Sequence, residues 1–128
     1  MFVINEDKSI YVTRGDAVWF GVSATDNISG EKYMFQPGDI VRLKVTAKKD
    51  CENVVLLKEF PVTAETEIVK IIVDGSKTKF GDAISKPTDY WYEVEVEDSN
   101  GIVQTIIGYD DDGAKIFKLY PEAEGETV

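Results

Sequence analysis

The sequence predicts an all-β domain, an antiparallel sandwich of two sheets made from about seven to nine short strands. Three observations predict it: apolar residues recur with a period of two, Gly, Asn and Asp mark turns between the apolar segments, and helical periodicity is nearly absent. A small closed barrel is the alternative arrangement of the same strands. Residues 76–84 could form at most a short helical turn, because Gly81 weakens a helix and Pro87 follows.

Three segments, residues 17–24, 40–47 and 90–97, alternate most strictly between apolar and other side chains. Such alternation is typical of strands that bury one face and expose the other, as in antiparallel sheets. The predicted buried face consists of Val18, Phe20, Val22, Ala24, Val41, Leu43, Val45, Ala47, Tyr90, Tyr92, Val94 and Val96. The predicted wet face holds Trp19, Arg42, Lys44, Thr46, Trp91, Glu93, Glu95 and Glu97.

Further segments are rich in Val, Ile, Thr and aromatic residues, which favour strands. These predicted strands are residues 10–13, 54–60, 67–73, 102–107 and 115–120. Asn100-Gly101 is the strongest hairpin signal, because this pair readily adopts the positive φ angles of a tight turn. No linker or repeat divides the chain, so residues 1–121 are predicted to form one domain and residues 122–128 an acidic, flexible tail.

The charge and the cysteine content limit the function classes. The formal charge is −10, from 24 acidic and 14 basic residues, which disfavours binding to nucleic acid or to anionic membranes. No signal peptide is expected, and no apolar segment approaches the ~20 residues of a membrane-spanning helix. The lone Cys51 cannot form an internal disulfide and fits a reducing compartment.

The residues also predict no enzymatic chemistry. The chain contains no histidine, which removes the commonest general base, the Ser-His-Asp and Cys-His arrangements and most zinc sites. Cys51 would be a nucleophile without a base and is interpreted as an incidental loop thiol. Carboxylates are abundant, but no pair of them has a distinctive context. We therefore expect no catalytic residue, no cofactor and no dedicated metal site.

For two local motifs, a structural role is favoured over a functional one. Asp110, Asp111 and Asp112 could hold calcium, but no EF-hand spacing fits them, and turn formation alone explains them. Arg14-Gly15-Asp16 matches the tripeptide that integrins recognise. It lies between two predicted strands, so we predict a turn or bulge in which Gly15 supplies an unusual backbone conformation.

The two tryptophans are the predicted functional residues. Trp19 and Trp91 fall opposite the aliphatic face of their strands, where a large aromatic side chain indicates partner contact. Tyr90 and Tyr92 are predicted to support them from the core. The competing interpretation covers both tryptophans with a loop. Exposed aromatic rings also stack on sugars, so a carbohydrate-binding or adhesin-like module is the alternative function.

The order of several motifs resembles the N-terminal domains of phage baseplate upper proteins and related small β-sandwich proteins of Gram-positive phages and prophages. The motifs are Thr13-Arg14-Gly15-Asp16 before Val18-Trp19-Phe20, then Tyr90-Trp91-Tyr92-Glu93-Val94, Asp98-Ser99-Asn100-Gly101, Gln104-Thr105-Ile106 and Gly108. The likeness covers roughly residues 8 to 121.

This resemblance implies an immunoglobulin-like or related sandwich that acts as a structural or docking module in a tail or baseplate. Its implied partners are other virion proteins and copies of itself, with synthesis in the bacterial cytoplasm and assembly into a virion. Baseplate upper proteins continue into further helical and receptor-binding-protein-holding regions, whereas this sequence stops at Val128. The resemblance carries no catalytic residues.

Overall fold

The computed structural model describes residues 1–26, 28–49, 53–108 and 113–122. The described chain forms nine strands and one short 3₁₀ turn at Gly75–Lys77. The strands are β1 (Phe2–Ile4), β2 (Ile10–Thr13), β3 (Val18–Val22), β4 (Ile40–Thr46), β5 (Val54–Pro61), β6 (Val69–Val73), β7 (Thr88–Glu97), β8 (Val103–Ile107) and β9 (Lys115–Tyr120).

Seven strands form a large sheet in the order β1-β2-β9-β7-β4-β5, with β8 also paired to β7. The ten-residue β7 organises this sheet. One edge of β7 pairs with β4. Along the other edge, the first half, Thr88–Tyr92, pairs with β9, and the second half, Val94–Glu97, pairs with β8. The alternation of β7 therefore sets which side chains of its neighbours face the core.

The remaining strands, β3 and β6, form a small antiparallel sheet that covers the large one. Val18 and Val22 of β3 and Ile71 of β6 are buried against the large sheet. The ring of Phe20 meets that of Tyr92 edge-on, with centroids 6.4 Å apart. Two sheets therefore share one hydrophobic core, and the predicted all-β sandwich is confirmed.

The predicted strands are present, with small shifts at their ends, and the hairpin at Asn100-Gly101 joins β7 to β8. Gly101 has a φ of +82°, and the Asp98 side chain accepts hydrogen bonds from the backbone N–H groups of Asn100 and Ile102. The first strand, β1, was missed, because three residues are too few to show a period. The helical turn is confined to three residues and begins one residue before the predicted segment.

Two details of the sheets differ from the sequence-based expectation. The β2–β9 pair is parallel within an otherwise antiparallel sheet. An alternating pattern predicts that one face of a strand is exposed to water. It does not predict the direction of the neighbouring strand, so the sequence could not indicate that this pair is parallel. Thr46, assigned to the wet face, is only 2% exposed because the pairing with β5 shifts register between Val45 and Thr46. Its hydroxyl donates to the Lys48 carbonyl.

Candidate functional site

The outer face of the small sheet carries the largest exposed aromatic side chain of the described chain. Trp19 is 55% exposed, and its cross-strand partner Ile72 is 44% exposed. Ile68, just before β6, is 56% exposed and lies against the backbone of Gly21, where an added Cβ would come within 2.9 Å of it. We call Trp19, Ile68 and Ile72 the Trp19 surface.

The Trp19 surface is held in place by its neighbours. The Phe2 ring of β1 lies 5.1 Å from the Trp19 ring, centroid to centroid, so the edge of the large sheet supports the indole. Ile68 occupies the space beside Gly21, and Lys70 stands opposite Gly21 on β6. An aromatic ring fixed by packing loses little rotational freedom when a partner binds it, which favours an interface role.

Trp91 lies elsewhere. It belongs to β7, on the outer face of the large sheet, and is half-buried between Thr46 of β4 and Ile116 of β9 in the register. The two sheets turn their outer faces in opposite directions, so one flat partner cannot contact both tryptophans. Tyr92, the predicted support, is buried in the core, and Tyr90 is partly buried against Phe80, with ring centroids 4.9 Å apart.

The glutamates that surround Trp91 are paired with cations rather than free. Arg42 of β4 donates to Glu59 at 2.7 Å and to Glu95 at 2.8 Å, and its guanidinium also lies 3.5 Å from Glu97. These hydrogen bonds to Glu95 and Glu59 raise the pKa of Arg42 further above its already high ordinary value. The predicted acidic wet face is thus a cross-strand ion-pair network centred on one guanidinium.

The same network extends along the sheet. Lys44 lies 3.4 Å from Glu93 on the neighbouring strand, and Lys118 of β9 lies 3.7 Å from Asp89. Opposite charges facing each other across strands stabilise the pairing, and they leave little unbalanced charge for a ligand. We refer to this set, together with Arg42 and its partners, as the ion-pair face.

The Arg14-Gly15-Asp16 tripeptide forms the predicted turn, and its side chains are engaged. Arg14 donates to Glu122 at 2.9 Å and to the carbonyls of Lys79 and Gly81. Gly15 has a φ of +95°, and the Asp16 carboxylate pairs with the Met1 amine. An adhesive tripeptide needs free arginine and aspartate side chains, and here both are bound within the domain.

The pairing with Arg14 also corrects the predicted tail. Glu122, its first residue, accepts from Arg14 and lies 3.9 Å from the Lys79 ammonium. This residue is therefore part of the folded domain, while residues 123–128 lie outside the described residues.

A groove that sequence patterns did not indicate runs between β8 and the segment after β3. Its volume is about 680 Å³. Tyr33, Val96 and Ile106 supply apolar lining, and Asp26 and Asp98 supply carboxylates from the two sides. These residues are far apart along the chain, so only the folded arrangement brings them together.

Beside the groove, Tyr33 links the chain segment after β3 to a buried carboxylate. The Tyr33 hydroxyl donates to Asp39 at 2.8 Å, and Asp39 is 3% exposed. Burial, with the hydrogen bond and negative charge of Asp39, raises the pKa of Tyr33 to about 12. Asp39 also accepts from the Gln36 backbone N–H, so its position stabilises the turn before β4.

Some predicted features fall outside the described residues, namely Cys51 and the aspartates Asp110, Asp111 and Asp112. Across the part of the chain that is described, no cluster of three or more metal-ligating Cys, Asp or Glu side chains occurs. The described residues also contain no helix with the length and apolar character needed to cross a bilayer.

No protein-family model, no curated protein and no solved structure matches the chain. The resemblance to baseplate upper proteins consequently rests on the residues quoted above.

Proposed function

We propose that this chain is a non-enzymatic docking module that joins other proteins of a phage or prophage tail or baseplate through the Trp19 surface. The observation that carries the proposal is a packed but half-exposed Trp19 next to Ile72 and Ile68. Tryptophan is enriched among the residues that contribute most of the binding energy of an interface. Such residues lie near the centre of the interface, where they are fully covered by the partner.

The contrast with the ion-pair face supports this choice of surface. Around Trp91 the charged side chains already have partners within the domain, so a partner protein would have to displace or desolvate them. At the Trp19 surface a partner would cover three apolar side chains and one lysine, Lys70, which lies opposite Gly21 on the same face. Burial of apolar area is favourable without such competition. Trp91 stays a predicted second contact on the opposite face.

The tail or baseplate setting comes from the motif order in the sequence. The same motifs take structural places in the fold: the Arg14 turn leads into β3, which carries Trp19, and the Asp98–Gly101 turn closes the β7–β8 hairpin. A docking module needs no catalytic group, which agrees with the composition of the chain.

A direct test is co-expression with each protein encoded by the flanking genes, followed by size-exclusion chromatography. We expect one of them, a tail or baseplate component, to co-elute with the wild-type chain and with Trp19→Phe, which keeps an aromatic ring. Trp19→Gln should lose the complex while it retains the circular dichroism spectrum. Leu57→Gln, an exposed residue of β5 on the opposite face, is the matched control and should still co-elute.

The alternative function is carbohydrate binding by the exposed indole. A sugar platform requires hydrogen-bonding side chains beside the ring, but the cross-strand neighbour of Trp19 is Ile72. A glycan array separates the two functions. Selective glycan binding that Trp19→Gln abolishes, without any co-eluting protein, would replace the docking proposal.

A further inference from the structure

We propose that the groove beside β8 receives an extended segment of a partner protein, which adds as a strand to the free edge of β8 and places a lysine or arginine between Asp26 and Asp98. This site is separate from the Trp19 surface and does not depend on it. It would give the domain a second point of attachment.

The first argument is the free edge of β8. This strand pairs with β7 on one side and with no other strand of the described ranges. Val103, Gln104 and Thr105 are all exposed in succession, so both faces of β8 are open at this point. An unpaired strand edge presents backbone N–H and C=O groups that an extended peptide can complete.

The second argument is the weak protection of this edge. Proteins usually guard an edge with charge, proline or shortness, and the other edges of the large sheet show these devices. β1 has three residues, and β5 carries Lys58 on its core-facing side and ends at Pro61. β8 has five residues without charge or proline, and its one protective device is the register shift that skips Ile106. Val103, Gln104 and Thr105 pair with β7 in regular register.

The third argument is the groove that runs along this strand. Tyr33, Val96 and Ile106 line it, and Ile102 beside it is 56% exposed. In an added strand, alternate side chains point to the same face, so every second residue of the segment would enter the groove. The apolar lining therefore calls for apolar residues at those positions.

The fourth argument is charge. One oxygen of Asp26 accepts from the N–H groups of Ile28 and Ser29, and one oxygen of Asp98 accepts from Asn100 and Ile102. The second oxygen of each carboxylate has no hydrogen-bond partner among the residues described.

The hydrogen bonds from Ile28 and Ser29 lower the pKa of Asp26, which keeps it ionised. Lys8 is the lone cation in the described lining. The excess of negative charge selects a cationic residue in the added segment.

The test uses three synthetic six-residue peptides, acetylated and amidated, with alternating valine and threonine. One carries a central lysine, one a central glutamate, and one has the lysine with N-methylated backbone amides. Binding to the full chain is followed by ¹H–¹⁵N NMR. We expect the lysine peptide to shift the amides of residues 102–106, with at least about fivefold higher affinity than the glutamate peptide. The N-methylated peptide should not bind.

Variants then separate the contributions. Asp26→Asn with Asp98→Asn keeps the oxygens that accept the turn hydrogen bonds and removes both charges, so the preference for lysine should vanish. Asp82→Asn, an exposed acid outside the groove, should leave the preference unchanged. If the double variant fails to fold, titration of the wild-type chain in 0.5 M salt (about a 4 Å screening length) tests the same preference, which should fall.

Trp19→Gln should leave the shifts at β8 unchanged, so loss of the docking function and loss of groove binding are distinguishable. Three results would overturn the proposal. These are equal affinity for the lysine and glutamate peptides, shifts that lie away from β8, and shifts that grow with protein concentration alone, which would mean that a second copy occupies the edge.

Discussion

The two outer faces of this sandwich expose different kinds of side chain to water. On the large sheet, long charged side chains pair across strands, with Arg42 bound to Glu59 and Glu95. On the small sheet, Trp19 and Ile72 face solvent without such cover. Five acidic side chains therefore pair with cations of the domain itself on the outer face of the large sheet, namely Glu59, Asp89, Glu93, Glu95 and Glu97.

The difference teaches that a charge pattern alone is a poor guide to a binding surface. The glutamates of β7 alternate with apolar residues in the sequence and predict an acidic face that is exposed to water. Their cations come from β4, about fifty residues earlier, and become visible only through strand pairing. The Trp19 surface is less conspicuous in the sequence, but its apolar side chains have no equivalent partner.

The largest expected loss of stability comes from a substitution at Gly75, where two connections between the sheets are in close contact. The β2–β3 and β6–β7 connections meet where an added Cβ at Gly75 would lie 2.2 Å from the Gly15 carbonyl oxygen. Gly75→Ala should therefore lower the free energy of unfolding by about 3 kcal/mol and the melting temperature by roughly 12 °C. Calorimetry measures both. Ser76→Ala is the control and should change the free energy by less than about 0.5 kcal/mol; equal stability of both variants would contradict the close contact.

The second largest loss of stability is expected from a substitution that disrupts only the ion-pair face. Arg42→Met leaves Glu59 and Glu95 without their shared cation, and we expect a loss of about 2 kcal/mol, reduced from the fully buried case because Glu59 is half exposed. Chemical denaturation in urea measures it. Lys70→Met on the small sheet serves as the comparison. A larger loss there than at Arg42 would reverse the assignment of the two faces.

Alkaline pH should act on the core between the faces. Burial raises the pKa of Tyr33 to about 12 and that of Tyr92 even higher. Their neutral forms are favoured by folding, so their contribution is present below about pH 10 and is lost as the pH rises through the folded pKa.

Between pH 9 and pH 11, wild type should lose about 1 kcal/mol more stability than Tyr33→Phe. Denaturation at the two pH values measures this difference. Parallel loss in both proteins would exclude the contribution of Tyr33.

The smallest stability effect is expected at the Trp19 surface. Trp19→Gln removes an exposed ring and its contact with Phe2, so the cost should stay below about 1 kcal/mol even though docking is lost. Thermal unfolding followed by circular dichroism measures this cost. A loss above 2 kcal/mol (about 8 °C) would show that Trp19 serves the core rather than a partner.

The fold was accessible from the sequence because alternation, turn residues and chain length all agree. Val18, Val41 and Val94 lie in the core as predicted, and Asn100-Gly101 forms its turn. The parallel β2–β9 pair was not accessible, since neighbours in a sheet are chosen by contacts that a local pattern does not contain.

The candidate site was only partly accessible. The pattern placed Trp19 and Trp91 on outward faces, but it did not reveal that these faces oppose each other or that Phe2 packs on Trp19. The groove depends on Asp26 and Asp98, which come together only through the folded chain. Local sequence patterns do not predict contacts between residues that are so far apart along the chain.

The position of β9 has a consequence for how the chain folds during synthesis. β9 lies between β2 and β7, so residues up to Tyr120 must be available before the large sheet can close. Until then β2 and β7 lack the strand that separates them, and their apolar faces stay partly uncovered. Pairing between such distant segments is slow, and open strand edges attract other chains. The large sheet is thus expected to close only after β9 has left the ribosome, with aggregation as the competing outcome.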